Sequence, residues 1–139
     1  MIINLAKSSY EKLVEDAKER FPKEACGLVA GTKEEKVVEV KEVVPMTNLD
    51  DSAEHFTLDP QEQFKVAKEI RKQGYELLGN YHSHPFTPAR PSAEDKKLAY
   101  NEELIYFIIS LAESEPILKA FKIEEQELVS ELELQIENN

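Results

Sequence analysis

Cysteine is nearly missing from this chain: Cys26 is the only one, so no disulfide can form within it. A fold held by disulfides is excluded, and a reducing compartment, with the cytoplasm as the default, is expected. Long apolar runs are missing too. No segment approaches the ~20 apolar residues that a helix needs to cross a bilayer, and the opening Met-Ile-Ile-Asn-Leu-Ala-Lys lacks the apolar core of a signal peptide. An unexported protein with no membrane partner is expected. Positive charge is in short supply, with 17 Lys and Arg against 28 Asp and Glu and a net charge of -11. Such a field repels phosphate backbones and anionic lipid surfaces, so nucleic acid is not an expected partner.

What is present suits a globular protein. Hydrophobic residues make up 41% and charged residues 32% of 139 residues, a mixture too apolar for general disorder. Residues 1–139 are expected to form a single domain, long enough to bury roughly two-thirds of its unfolded surface. No internal repeat interrupts it.

Ile2 to Leu5 reads as a short strand, followed by a helix capped by Ser8 or Ser9 with Tyr10, Leu13, Val14, Ala17 and Phe21 on one face. Pro22 stops that helix. Cys26 to Ala30, ending at Gly31, and Lys36 to Val44, closed by Pro45, read as strands joined by the charged connection Thr32 to Glu35. Met46 to Asp59 is polar and irregular, a loop long enough to carry function. Pro60 suits the first turn of a helix that Gly74 ends. Leu77 to His82 is the next strand, and after a Pro-rich loop Ser92-Ala93-Glu94-Asp95 opens a helix running to about Asn101. Three strands close the chain: Leu104 to Leu111, apolar and therefore central, Ile117 to Ile123, and Leu128 to Ile136. The last alternates leucine and isoleucine with glutamate and glutamine, and its acidic side reads as a solvated edge. The pattern predicts a mixed sheet covered by helices, of α/β or α+β type.

Chemistry concentrates around His82 and His84. Two apart at the end of an apolar strand, they leave the same face with Cα atoms roughly 6.5 Å apart, close enough for both imidazoles to reach one ion. A His-x-His pair by itself is ordinarily two surface or hydrogen-bonded residues. Asp95 is placed to return a carboxylate to such an ion, but an acidic residue in the first turn of a helix also has a purely structural explanation, as does Ser92 as its cap.

His82-Ser83-His84, seven intervening residues, Ser92, two residues and Asp95 together resemble the pattern of the JAMM metalloproteases, also called the MPN+ or Mov34/PAD-1 group. Upstream, Pro22-Lys23-Glu24-Ala25-Cys26-Gly27-Leu28-Val29-Ala30-Gly31 resembles the segment that carries this family's catalytic glutamate. Leu58-Asp59-Pro60, Gly79-Asn80-Tyr81 and the apolar strand Ile105 to Leu111 extend the resemblance over most of the chain. It implies a mixed, mainly antiparallel curved sheet flanked by helices, similar to the cytidine deaminases in fold. It also implies one catalytic Zn2+ held by His82, His84 and Asp95, with a fourth position left for water. Glu24 would accept the proton of that water and hand it to the leaving amine, and Ser92 would donate to the oxyanion. The zinc deaminases' own His-x-Glu and Pro-Cys-x-x-Cys signature is lacking.

The resemblance further implies a substrate. Similar short prokaryotic proteins hydrolyse amide bonds at the C-terminal tail of ubiquitin-like or sulfur-carrier proteins, and Ala89-Arg90-Pro91-Ser92 strengthens the likeness to that short form. A chain of this length is expected to lack room for the insertions that select ubiquitin linkages in larger relatives. A non-catalytic scaffold is the alternative, since superfamily members without the metal set act as assembly platforms. Cys26 reads as a small core residue, His55 as a solvent-facing or hydrogen-bonded loop residue rather than a fourth ligand, and Arg90 as either a surface charge or a partner for a substrate carboxylate.

Overall fold

Residues 1–137 are described by a computed structural model, in which the extended stretches join into a sheet that closes on itself. The elements run β1 (Ile2–Ala6), α1 (Lys7–Arg20), β2 (Cys26–Glu34), β3 (Val37–Met46), α2 (Pro60–Lys72), β4 (Glu76–His84), α3 (Ala93–Lys97), β5 (Ile105–Ser110), β6 (Ile117–Glu124) and β7 (Leu128–Glu137). Around the barrel their order is β1-β3-β2-β4-β5-β6-β7, with β7 returning to β1. Pairs β1 with β3, β1 with β7 and β4 with β5 are parallel, and the other four are antiparallel.

The mixed, mainly antiparallel sheet with flanking helices is therefore present, but it is a closed barrel rather than an open curved sheet. Strand β7 makes the closure, and it is not an edge. Its first half, Leu128 to Leu132, pairs with β6, while Glu133 to Glu137 pairs with β1. Its outward residues are exposed, with Leu132 and Leu134 half-buried against the core. The wet face expected from the alternation is there, and both flanks of the strand are occupied.

The core is built by Ile3 and Leu5 of β1, Val38 and Val40 of β3, Tyr81 of β4 and Phe107 of β5, with Leu13 of α1 packed in. Phe107, Ile108 and Ile109 are all fully buried, as a strand flanked by β4 and β6 requires. Burial of Leu13 and Ala17 anchors α1, and the helix starts at Lys7 straight from β1. Its N-cap is Ala6, without a side-chain hydrogen bond, so Ser8 and Ser9 lie inside the first turn instead of capping it. Continuity with β1 sets that start, and the packed face outweighs a missing cap worth about 1 kcal/mol. Phe21 falls outside the buried face, 45% exposed, with its ring edge-on to Phe86 at 5.2 Å.

Strand β2 continues through Gly31 by way of a register shift at Ala30/Gly31, and β3 continues through Pro45. The connection between them shrinks to a turn at Glu35 and Lys36. Asp59 caps α2 by accepting from the Gln61 amide at 3.0 Å, and Gly74, at φ +83, takes the left-handed conformation after its end. Helix α3 is shorter than its sequence suggests, ending at Lys97.

Gly79 sits where β4 runs parallel to β5, opposite Ile105. A Cβ there would lie 1.8 Å from the Ile105 carbonyl oxygen, so no side chain fits without parting the strands. Gly79→Ala is expected to cost on the order of 1–3 kcal/mol, read as a lower midpoint of thermal unfolding. Among the described residues no helix is long and apolar enough to cross a membrane.

Candidate metal centre

Strand β4 delivers its last residues, His82-Ser83-His84, to one end of the barrel. Both histidines are buried, at 2% and 5% exposure, and their rings face the short helix α3. Ser92 caps that helix: its Oγ accepts from the Asp95 amide at 3.0 Å, while Asp95 Oδ2 accepts from the Ser92 amide at 2.9 Å. The reciprocal cap orients the Asp95 carboxylate toward the histidines.

The result is a triangle. His82 Nε2 to His84 Nε2, His82 Nε2 to Asp95 Oδ2 and His84 Nε2 to Asp95 Oδ2 are each 3.1 Å. His84 Nδ1 lies 2.8 Å from the Pro88 carbonyl, which can only accept, so Nδ1 carries a proton and in the neutral ring Nε2 presents its lone pair. A lone pair and a carboxylate oxygen thus converge with a second imidazole on one point, an arrangement that repels itself unless a cation or a proton lies between. His82, His84 and Asp95 form the cluster of potential metal-ligating side chains found among the described residues. Two imidazoles and a carboxylate at this spacing fit a divalent ion bonded to each at about 2.0–2.2 Å.

Charge in the cluster behaves accordingly. Burial pushes the Asp95 carboxyl up, but hydrogen bonds from His82 and His84 outweigh it and hold the group well below the usual range. Burial pulls His84 down, and the bonds to Asp95 and to the Pro88 carbonyl more than reverse this, leaving it above the ordinary histidine value.

Glu24 reaches the same end of the barrel through the pairing of β2 with β4. Cys26 lies opposite His82, and one step further Ala25 is bonded twice to Ser83, its amide to Ser83 Oγ at 2.7 Å and its carbonyl to the Ser83 amide at 2.9 Å. Glu24 precedes Ala25 directly and lies within electrostatic reach of His84 and Asp95. The residue is 5% exposed, and its Oε1 is buried with no protein partner. Burial, with the charges of Asp95, Glu94 and Asp50 adding and His84 opposing, pushes its pKa from 4.5 up to about 8. A group so placed is protonated or ionised at small cost near neutral pH.

Five residues separated by as many as 71 positions, Glu24, His82, His84, Ser92 and Asp95, therefore meet at one end of the barrel. A cleft of about 490 Å³ opens beside His82 and Asp95, lined by Phe56, Asn80, Leu98, Tyr100 and Tyr106 among others. A family model described as "Prokaryotic homologs of the JAB domain" matches residues 6–124, and so takes in all five. The chain belongs to this family.

Among JAB relatives, the CysO-cysteine peptidase of Mycobacterium tuberculosis is 36% identical over 98 residues, 70% of this chain and 66% of that one, so the match spans just under two thirds of the relative. The desampylase of Haloferax volcanii is 30% identical over 115 residues, covering 78% of this chain and 80% of its own. A protein of Desulfitobacterium hafniense, solved in solution, is 46% identical and superimposes with a TM-score of 0.90 over 100% of this chain and 94% of its own. A JAB1/MPN domain protein of Archaeoglobus fulgidus, 24% identical, shares the fold with a TM-score of 0.61 over 98% of this chain and 98% of its own.

Other candidate residues stand outside the cluster. The Cys26 thiol is fully buried, donates toward the Met46 and Thr47 carbonyls at 3.8 and 3.7 Å, and is pushed up to about 12 by burial. It is an inert core residue. His55 Nδ1 pairs with Glu94 Oε2 at 2.5 Å, and Arg90 is exposed beside the loop to α3. Two residues of the 46–59 loop escaped the sequence reading. Asn48 donates to the Glu24 and His55 carbonyls at 3.2 and 3.0 Å and accepts from the Asp50 and Thr57 amides at 3.0 and 3.1 Å. Phe56 stacks on His82 with ring centroids 4.6 Å apart. Neither belongs to a periodic element, so no pattern could mark them.

Proposed function

We propose that this JAB protein, one domain over residues 1–139, is a zinc-dependent hydrolase of amide bonds. Its substrate in this reading is the C-terminal tail of a ubiquitin-like or sulfur-carrier protein. The observation that carries the proposal is the 3.1 Å triangle of two imidazole nitrogens and a carboxylate oxygen, with the buried carboxyl of Glu24 beside it. The names of the mycobacterial peptidase and the archaeal desampylase support the substrate class.

His82, His84 and Asp95 hold the ion in this scheme. When bound, zinc supplies a Lewis acid for the scissile carbonyl and makes water acidic enough to ionise near neutral pH. Glu24 takes the proton of the attacking water and passes it to the leaving nitrogen, a transfer helped by a carboxyl whose pKa lies far above that of an exposed glutamate. Ser92 Oγ accepts the Asp95 amide through a lone pair, which leaves its hydroxyl proton available for the oxyanion. Capping and oxyanion stabilisation are then compatible in one geometry. The walls of the cleft beside His82 receive the extended tail.

Metal analysis of the purified protein, followed by incubation with ubiquitin-like carriers extended beyond their C-terminus, tests this. Expected are one zinc per chain, a mass loss matching cleavage at the tail, abolition by a chelator and recovery with zinc. Iron in place of zinc, or stoichiometric zinc with no cleavage of any extended carrier, overturns the respective half of the proposal.

A further inference from the structure

The two histidines of the triangle are held in different ways. His84 has an ordinary support, its Nδ1 hydrogen-bonded to the Pro88 carbonyl, which fixes both tautomer and ring plane. His82 has none: its Nδ1 is buried and finds no protein partner. Its ring is stacked by Phe56 at 4.6 Å with only 20° between the planes, whereas the His84 ring meets it tilted by 57° at 4.9 Å. We infer that Phe56 is the positioning residue for His82, and that the 46–59 loop, through this ring, sets the metal affinity of the site.

The inference rests on the reading of His82 as a ligand and goes beyond it in one respect. A stacked face restricts the tilt of the imidazole as a hydrogen bond otherwise would, and the contact strengthens when a dication draws electron density from the imidazole, because the negative face of the Phe56 ring then meets a more positive partner. Metal binding and docking of Phe56 are thereby coupled, and such coupling is reciprocal.

The loop that carries Phe56 also holds Glu24. Asn48 donates to the Glu24 carbonyl, the Glu24 amide donates to the Ser52 carbonyl at 2.7 Å, and the bridge between Asn48 and Leu58 closes the loop around Phe56. His55, next to Phe56, pairs with Glu94, beside the ligand Asp95. One segment thus touches a histidine ligand, the base and the helix of the carboxylate ligand. Occupancy of the metal site and placement of Glu24 are linked through it.

Zinc affinity measured by chelator competition, without any assay of turnover, tests this. Phe56→Ala is expected to bind zinc about 10–100-fold more weakly than wild type, the range for loss of a supporting group. Phe56→Tyr keeps the flat face and is expected to restore nearly all of the affinity. Phe56→Leu keeps apolar bulk without that face and is expected to stay close to the alanine variant. Zinc is also expected to slow amide exchange across residues 48–58 in wild type and not in Phe56→Ala. Thermal melts of the metal-free forms identify any variant that fails to fold, in which case the Tyr and Leu pair decides. Equal affinity in wild type and Phe56→Ala, or full rescue by leucine, overturns the positioning role and leaves the ligand set standing. Wild type that takes up no zinc overturns the ligand reading and this inference with it.

Discussion

Glu24→Gln is expected to keep one zinc per chain and to lose hydrolysis by about 10²–10⁴-fold, the usual contribution of a positioned proton acceptor. Glutamine preserves the shape of the side chain but offers no basic oxygen, and Glu24 is not among the three atoms of the triangle, so metal content should hold. Full activity in this variant would remove Glu24 from the reaction.

The same substitution has a second signature in the metal-free protein. Folding raises the Glu24 pKa from 4.5 to about 8, so the folded state binds its proton more tightly than the unfolded chain does. The stability tied to that proton is complete below about pH 4.5 and drains away as pH rises to about 8. Wild type should therefore lose up to a few kcal/mol across that window, and Glu24→Gln should not. Denaturant melts of the chelator-treated proteins at pH 5 and pH 8 measure the difference, and parallel losses in both would show that the buried carboxyl is not its source.

His82→Ala and Asp95→Ala are expected to weaken zinc binding by far more than the about 10–100-fold typical of losing a supporting residue, because each removes one of three protein ligands. The aspartate variant also gives up half of the reciprocal cap on α3, so some loss of stability should accompany it. Unchanged metal stoichiometry in both variants would refute the ligand assignment. In wild type, zinc affinity should fall on acidification, starting at a higher pH than an ordinary histidine would give. The cause is His84, whose pKa lies above its usual value and whose protonated ring cannot donate to a metal.

Much of the site was legible because it is local. His82 and His84 share a strand face by the two-residue period, and Ser92 and Asp95 form a cap whose spacing is written in four consecutive residues. The ends of α2 at Asp59-Pro60 and Gly74 were marked for the same reason. Helix α1 was legible as a helix but not at its start, since continuity with β1 and tertiary burial of Leu13 and Ala17 override the preference of Ser8 and Ser9 for a helix terminus.

The sequence by itself determined the strand face that His82 and His84 share, the cap that Ser92 and Asp95 form, and most of the strands and helices, because neighbours within a turn or along a strand dictate those features. Only the tertiary structure decided that β7 splits its pairing between β6 and β1 to close the barrel, that Glu24 comes within electrostatic reach of His84 and Asp95, and that Phe56 lies on His82. Each of these joins residues far apart in the chain through sheet register or loop packing. Periodicity records the face a residue occupies and carries no information about its partner across the fold.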